Sequence, residues 1–238
     1  MLSSDIKQNI TNKKGGLNYT NSDFDITGET FGHLINISGR QRMLSQRIIL
    51  NIFLSTHGHE DALKIVSDDL QLFKDSHHAL VIGNSEMPGV FFESLRQAYY
   101  GDLDGHNKNL AFINLVEKTL NAYQSNYRTA QSLLDELGLL AMPIVKLLNQ
   151  ITQVYEAESK EFAKLEQKKR HSLMNDIQNI AKQAKIVAVN AQISAARAGE
   201  VGREFSVVAT ELTHITEKID SLVKTALLDF NDENHRKN

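Results

Sequence analysis

Ile177, Ala181, Ala184, Ala188, Ala191, Ala195 and Ala198 recur at spacings that alternate four and three. Gly199-Glu200-Val201-Gly202 follows, and then Phe205, Val208, Leu212, Ile215, Ile219, Leu222 and Ala226 alternate three and four. A repeat of about 3.5 residues is the seam of a coiled coil, because it keeps one edge of a helix turned towards a neighbour. Two such seams on either side of a Gly-x-x-Gly turn predict an antiparallel helical hairpin. Folded about that turn, Ala198 meets Phe205, Ala195 meets Val208, Ala191 meets Leu212 and Ala188 meets Ile215. Small residues on one arm then face large ones on the other.

Upstream of the hairpin, no Gly or Pro occurs between Pro143 and Gly199, a run that would extend roughly 80 Å as one helix. Before it, Phe31, Leu34, Ile35, Leu44, Ile48, Ile52 and Phe53 recur at helical spacing, and His57-Gly58-His59 reads as a stop. Leu63, Val66, Leu70 and Phe73 mark a second helix to about residue 82, closed by the loop 83–89. A third helix begins near Gly89, is interrupted at 101–105 and resumes to about Leu137, with Gly138 and Pro143 as the next corner. The predicted fold is all-α: an antiparallel four-helix bundle whose last helix extends into a coiled-coil hairpin. The expected division is a flexible arm at 1–20, the bundle at 21–155, the hairpin at 156–230 with its tip near 199–202, and a tail at 231–238.

Composition narrows the function. The 238 residues include no cysteine, no tryptophan and two prolines, which excludes disulfides, thiolate chemistry and cysteine-built metal sites. A net charge of −3 argues against nucleic-acid binding through bulk charge. The polar N-terminus lacks an apolar signal core. The longest nearly apolar stretch, around 48–56, is far short of the ~20 residues that cross a bilayer. A soluble chain in the cytoplasm, without membrane insertion, is the expectation.

Arg40, Arg42 and Arg47 fall within eight residues, in Ser38-Gly39-Arg40-Gln41-Arg42-Met43-Leu44-Ser45-Gln46-Arg47, and the segment contains no acid. Arg40 and Arg47 share one helix face, while Arg42 and Gln46 form an i, i+4 pair on the next. Such charge requires solvent, acids from other helices, or an anion. The arginine fork suits small planar oxyanions, since it offers two oxygens parallel donors and keeps its proton. If helix one packs on its own copy, Arg42 from each subunit approaches across the two-fold. A shared anion then turns repulsion into a clamp.

Two resemblances extend these readings. Ile180-Ala181, Ala188-Val189-Asn190-Ala191, Ala195-Ala196-Arg197-Ala198-Gly199-Glu200, Gly202-Arg203 and Phe205-x-Val207-Val208-Ala209-x-Glu211 resemble the signalling tip of methyl-accepting chemotaxis receptors over roughly 177–222. The resemblance implies a hairpin that dimerises into a four-helix coil and binds the kinase CheA and the coupling protein CheW. Asn190, Arg197, Glu200, Arg203, Phe205 and Val207 map to tip packing and partner contacts. Ser194, Glu204, Lys182, Ala184 and Lys185 depart from the family's pattern, and the arms span only about 37 Å each. The arginine segment resembles helix one of the PilJ-type sensor domain of type IV pilus and nitrate chemoreceptors, over roughly 25–155. That domain is normally periplasmic and framed by membrane helices that have no counterpart in this sequence. The resemblance implies that Arg42 makes the principal contact to nitrate or nitrite at a dimer interface, with Arg40, Ser45, Gln46 and Arg47 around it.

The remaining signals are weak. His57, His59, Glu60, His77 and His78 fit no metal-ligand spacing, and the four histidines read as surface loop residues. Asp102-Leu103-Asp104-Gly105 reads as a capped turn, and Phe91, Phe92, Tyr99 and Tyr100 as core and rim aromatics. No catalytic constellation, metal site or cofactor motif is present. The expected function is a non-enzymatic cytoplasmic sensor, homodimeric, that binds a small oxyanion and signals through a miniature chemoreceptor hairpin. The alternative is a ligand-independent helical adaptor that joins or disrupts CheA/CheW receptor arrays, or pairs with another receptor.

Overall fold

The computed structural model describes residues 26–59, 61–125 and 128–236, with side chains to Leu228. The expected arm at 1–20 and residues 237–238 of the tail lie outside the described residues, as does Glu60. Among the described residues six helices run in chain order: α1 (Gly28–Ser55), α2 (Ala62–Val81), α3 (Glu93–Tyr100), α4 (Gly105–Gln124), α5 (Ala130–Arg197) and α6 (Arg203–Arg236), with a short 3-10 turn at Gly199–Gly202. No strand occurs among the described residues. The chain forms two units that divide within α5, after Phe162.

The first unit is a bundle of α1, α2, α4 and the first part of α5, with α3 as a short lead-in to α4. A reciprocal cap starts α1. Thr27 Oγ1 accepts from the Thr30 amide and Thr30 Oγ1 accepts from the Thr27 amide, each at 3.2 Å. Phe31, Leu34, Leu44, Ile48 and Ile52 then bury one face of α1 against Val66, Leu70, Phe73 and Leu80 of α2 and Phe112 and Val116 of α4. Phe31 also packs on Phe91, Phe92 and Phe162, at centroid separations of 6.2, 5.5 and 5.3 Å. Phe91, Phe92 and Tyr99 are core residues, and Tyr100 lies at the rim. The break at 101–104 holds Asp104 at φ 48 and brings Gly105 against the Ala98 carbonyl and Ile151.

The corner expected at Gly138 and Pro143 lies elsewhere. Helix α4 ends at Gln124, α5 begins at Ala130, and both residues are inside α5. Leu134, Leu137, Ile144, Leu148, Ile151 and Tyr155 are buried at spacings of three, four and seven, so core packing carries the helix through the proline. Pro143 lies on the exposed face, where water reaches the carbonyl that its missing N–H leaves free. A Cβ at Gly138 would stand 3.4 Å from Phe53 Cζ, an ordinary contact. An 18-residue window within α5 has mean hydropathy 1.3, long and apolar enough to cross a membrane by length and composition. Among the described residues, the apolar window of membrane-crossing length thus lies in α5, not around 48–56.

The second unit is the expected hairpin. Gly199 has φ +62, a left-handed conformation that disfavours any side chain. A Cβ at Gly202 would collide with the Ala195 carbonyl. Gln178 Nε2 donates to Asp220 at 3.1 Å, Lys185 Nζ to Glu217 at 2.9 Å and Gln192 Nε2 to Thr210 at 3.2 Å, joining the arms along their length. The Lys185 ammonium holds the Glu217 carboxyl below its ordinary range, and Lys224 with Gln178 does the same for Asp220.

The seam differs from expectation on the second arm. Ala181, Ala188 and Ala195 are buried as predicted, but their counterparts are Ala209, Thr216 and Val223, one residue beyond Val208, Ile215 and Leu222. Phe205 (59% exposed) and Val208 (64%) face outward. Two facing rows of mainly small residues bring the arms close. Phe205, Val208, Ile215 and Leu222 of the expected row stay outside, whereas its other members Leu212, Ile219 and Ala226 are half-buried beside the seam.

Candidate ligand face and signalling tip

The three arginines of α1 meet three different environments. Arg47 donates from Nε and Nη2 to both carboxylate oxygens of Asp69 on α2. Asp69 is buried, and its carboxylate raises the Arg47 pKa further, so this charge is neutralised within the bundle. Arg40 Nη2 donates to Ser76 Oγ at 3.3 Å, a hydroxyl whose own proton goes to the Leu72 carbonyl. Arg42 Nη1 donates to Asn149 Oδ1 of α5 at 2.6 Å, on the exposed surface. Arg40 and Arg42 have no carboxylate partner among the described residues.

Gln46 is exposed beside Arg42, whereas Ser45 is buried and donates to the Arg42 carbonyl at 2.7 Å. The structure thus brings Arg42 and Gln46 to one surface and turns Ser45 into the core. That surface is apolar around the charge. Met43 and Leu50 are exposed on α1, and Leu139 (81% exposed) and Met142 (76%) on α5. Gly39, Met43, Gln46 and Leu50 form a stripe at spacings of four, three and four; Leu139, Met142 and Asn149 continue it on the neighbouring helix. Asn149 was not anticipated from the sequence, because no local pattern links it to a helix about a hundred residues upstream.

Behind this surface the core line of α1 is polar for two turns. Ser38, Gln41 and Ser45 are all buried between Leu34 and Ile48. Thr152 Oγ1 donates to the Leu148 carbonyl at 2.8 Å, so the 2.7 Å contact between Ser38 and Thr152 has Ser38 as donor. His77 of α2, expected at the surface, is buried. Its Nε2 lies 3.0 Å from Nδ1 of His106 on α4, the rings stacked at 5.1 Å. Burial, then the neighbouring His106 and His78, lower its pKa to about 4, so it is neutral near pH 7. No group of three metal-ligating side chains occurs among the described residues.

At the hairpin tip, Asn190, Arg197, Glu200, Arg203, Phe205 and Val207 are all exposed. Val201, inside the turn and 92% exposed, is a further apolar tip residue that sequence reading passed over. A valine in a glycine-flanked turn, where polar residues are usual, was the available signal.

Bundle and hairpin together correspond to two family models. Residues 29–101 match the type IV pili methyl-accepting chemotaxis transducer N-terminal model. Residues 123–226 match the methyl-accepting chemotaxis protein (MCP) signalling domain. The chain thus carries a segment that matches the PilJ-type N-terminal domain, followed by one that matches the methyl-accepting chemotaxis signalling domain. It is similar to biofilm dispersion protein BdlA of Pseudomonas aeruginosa, 32% identical over 148 residues that make up 57% of this chain and 35% of that protein. It is also similar to methyl-accepting chemotaxis protein McpQ of Pseudomonas putida, 35% identical over 94 residues, 37% of this chain and 14% of that protein. Protein PilJ of Pseudomonas aeruginosa is 44% identical over 68 residues, 26% of this chain and 10% of PilJ. The chain thus spans about a third or less of the length of these relatives. No solved structure matches it.

Proposed function

We propose that the chain is a cytoplasmic, non-enzymatic sensor in which Arg42 binds a small oxyanion, nitrate or nitrite, across a homodimer made through α1. The observation that carries this reading is the exposed Arg42 guanidinium held by a neutral amide. Asn149 orients one edge of the fork and leaves the charge uncompensated. Arg40, also without a carboxylate, adds to the positive field. Arg47 contributes least, since Asp69 already neutralises it. The apolar stripe of Met43, Leu50, Leu139 and Met142 supplies surface for a second copy, and Gly39 permits close approach. An anion bridging two Arg42 side chains would favour the dimer over the monomer, and by linkage the dimer would favour the anion.

The output of the proposed sensor is the hairpin. Its outward Val208, Ile215 and Leu222, with Ile180 and Val187 on the first arm, offer a second coiled-coil face to a partner hairpin. Residues 21–155 would serve as sensor and 156–230 as output. Titration calorimetry with nitrate and with nitrite tests the ligand. We expect heat of binding from the wild type with at least one of the two anions, and none from Arg42→Ala. Equal heats from both proteins, or none from either, would overturn the anion reading.

A second reading rests on the exposed tip. Val201, Phe205 and Val207 leave a bare apolar end beside Arg197, Glu200 and Arg203, as fits a ligand-independent adaptor that binds CheW or CheA. Co-purification of either with the full chain, unchanged by nitrate and retained by Arg42→Ala, would favour it.

A further inference from the structure

The described residues contain four buried side-chain atoms without a hydrogen-bond partner in the protein: Gln41 Oε1, Gln41 Nε2, His77 Nδ1 and Asn109 Oδ1. Gln41 and Asn109 are 0% exposed and His77 is 4% exposed. They come from α1, α2 and α4, yet the contacts between helices place them at one level of the bundle. Arg40, next to Gln41, reaches Ser76, next to His77. His77 meets His106, and Phe73 meets Phe112 at 5.2 Å; Asn109 lies midway between those α4 partners. Ser38, one turn from Gln41, is bonded to Thr152 of α5.

Orphaned groups scattered through a core would be separate costs. Four in one layer point to a shared occupant. The neighbouring polar groups bond elsewhere and do not reach these four atoms. Ser38 bonds Thr152, Asn109 Nδ2 donates to the Gly105 carbonyl at 2.7 Å, and the Tyr99 and Tyr155 hydroxyls face each other at 3.4 Å. The layer is also uncharged. His77 is neutral, Asp69 is held by Arg47 further along α2, and the Arg40 guanidinium stops at Ser76. Gln41, His77 and Asn109 are all neutral, so a neutral occupant leaves no charge uncompensated among them.

We propose that this layer is a binding site for one or two structural water molecules, held among Gln41, His77 and Asn109. The donor and acceptor inventory matches. Water accepts from the Gln41 amide N–H and donates to the carbonyl oxygens of Gln41 and Asn109. It takes either role at His77 Nδ1, according to which imidazole of the pair carries the shared proton. The site is distinct from the Arg42 surface and does not depend on the anion reading.

Two-dimensional water–protein cross-relaxation NMR on the full chain tests the site, read at the side-chain amide protons of Gln41. The expected result is a cross-peak of the sign produced by a long-lived bound water, lost in Asn109→Leu or weakened by it. A Gln41 side-chain amide without any long-lived water contact in the wild type would overturn the proposal. Thermal unfolding gives an independent check through Gln41→Leu. If water satisfies the amide, the variant melts at or below the wild-type temperature. A variant that melts higher would mean that the amide is unsatisfied, and would equally overturn it.

Discussion

The two units solve the same packing problem in opposite ways. The bundle turns its large side chains inward: Phe31, Phe73, Phe91, Phe112, Tyr99 and Tyr155 are fully buried. The hairpin turns alanines inward and leaves Phe205, Val208, Ile215 and Leu222 in solvent. The aromatics of the bundle are covered within one chain, whereas the alanine seam of the hairpin is flanked by an exposed apolar row. The contrast explains how one chain combines a self-sufficient domain with one suited to association.

The difference is broken most severely at Phe31. Its ring sits at the centre of the Phe91, Phe92 and Phe162 cluster, so Phe31→Ala should cost the bundle about 3–5 kcal/mol in denaturant unfolding. Acid should act next, and on the bundle first. His77 has its pKa lowered from 6.5 to about 4. The unfolded chain therefore binds the proton first as pH falls. The stabilisation from keeping the ring neutral is complete above pH 6.5 and lost as pH drops towards 4, amounting to roughly 3 kcal/mol in full. His77→Gln, which retains a hydrogen-bonding side chain without a titrating ring, should flatten that part of the pH–stability curve.

The hairpin should respond to size in the opposite sense. Ala188→Leu overfills the close seam and should cost about 1–3 kcal/mol. Val208→Ser, one residue from the buried Ala209, should change the folding of a single chain by under about 0.5 kcal/mol. Its effect should instead appear as weaker self-association in sedimentation. If Val208→Ser destabilised folding as much as Ala188→Leu, the contrast between an inner small-residue row and an outer large-residue row would fail.

How far the sequence showed these features follows from the same contrast. The helices were legible because core positions repeat at the period of the helix, and the turn because Gly199 and Gly202 allow backbone approaches that a side chain blocks. Which row of α6 faces inward was not legible. Val208 and Ala209 both repeat every seven residues, and a period does not state which of two adjacent stripes meets its own arm. Pro143 misled because its local cost was judged without the buried Leu137, Ile144 and Leu148 that carry the helix past it. At the candidate site, Arg42 was legible from local charge. The companions Asn149 and Asp69, and the burial of His77, arise from contacts distant in sequence.

The proposed function requires one link: that an anion at Arg42 favour pairing of two chains through α1. Sedimentation equilibrium of the full chain with and without nitrate, on the wild type and on Arg42→Ala, measures that link directly. Nitrate should tighten the wild-type dimer and leave the Arg42→Ala association constant unchanged. No tightening in the wild type, or the same tightening in both proteins, would contradict it.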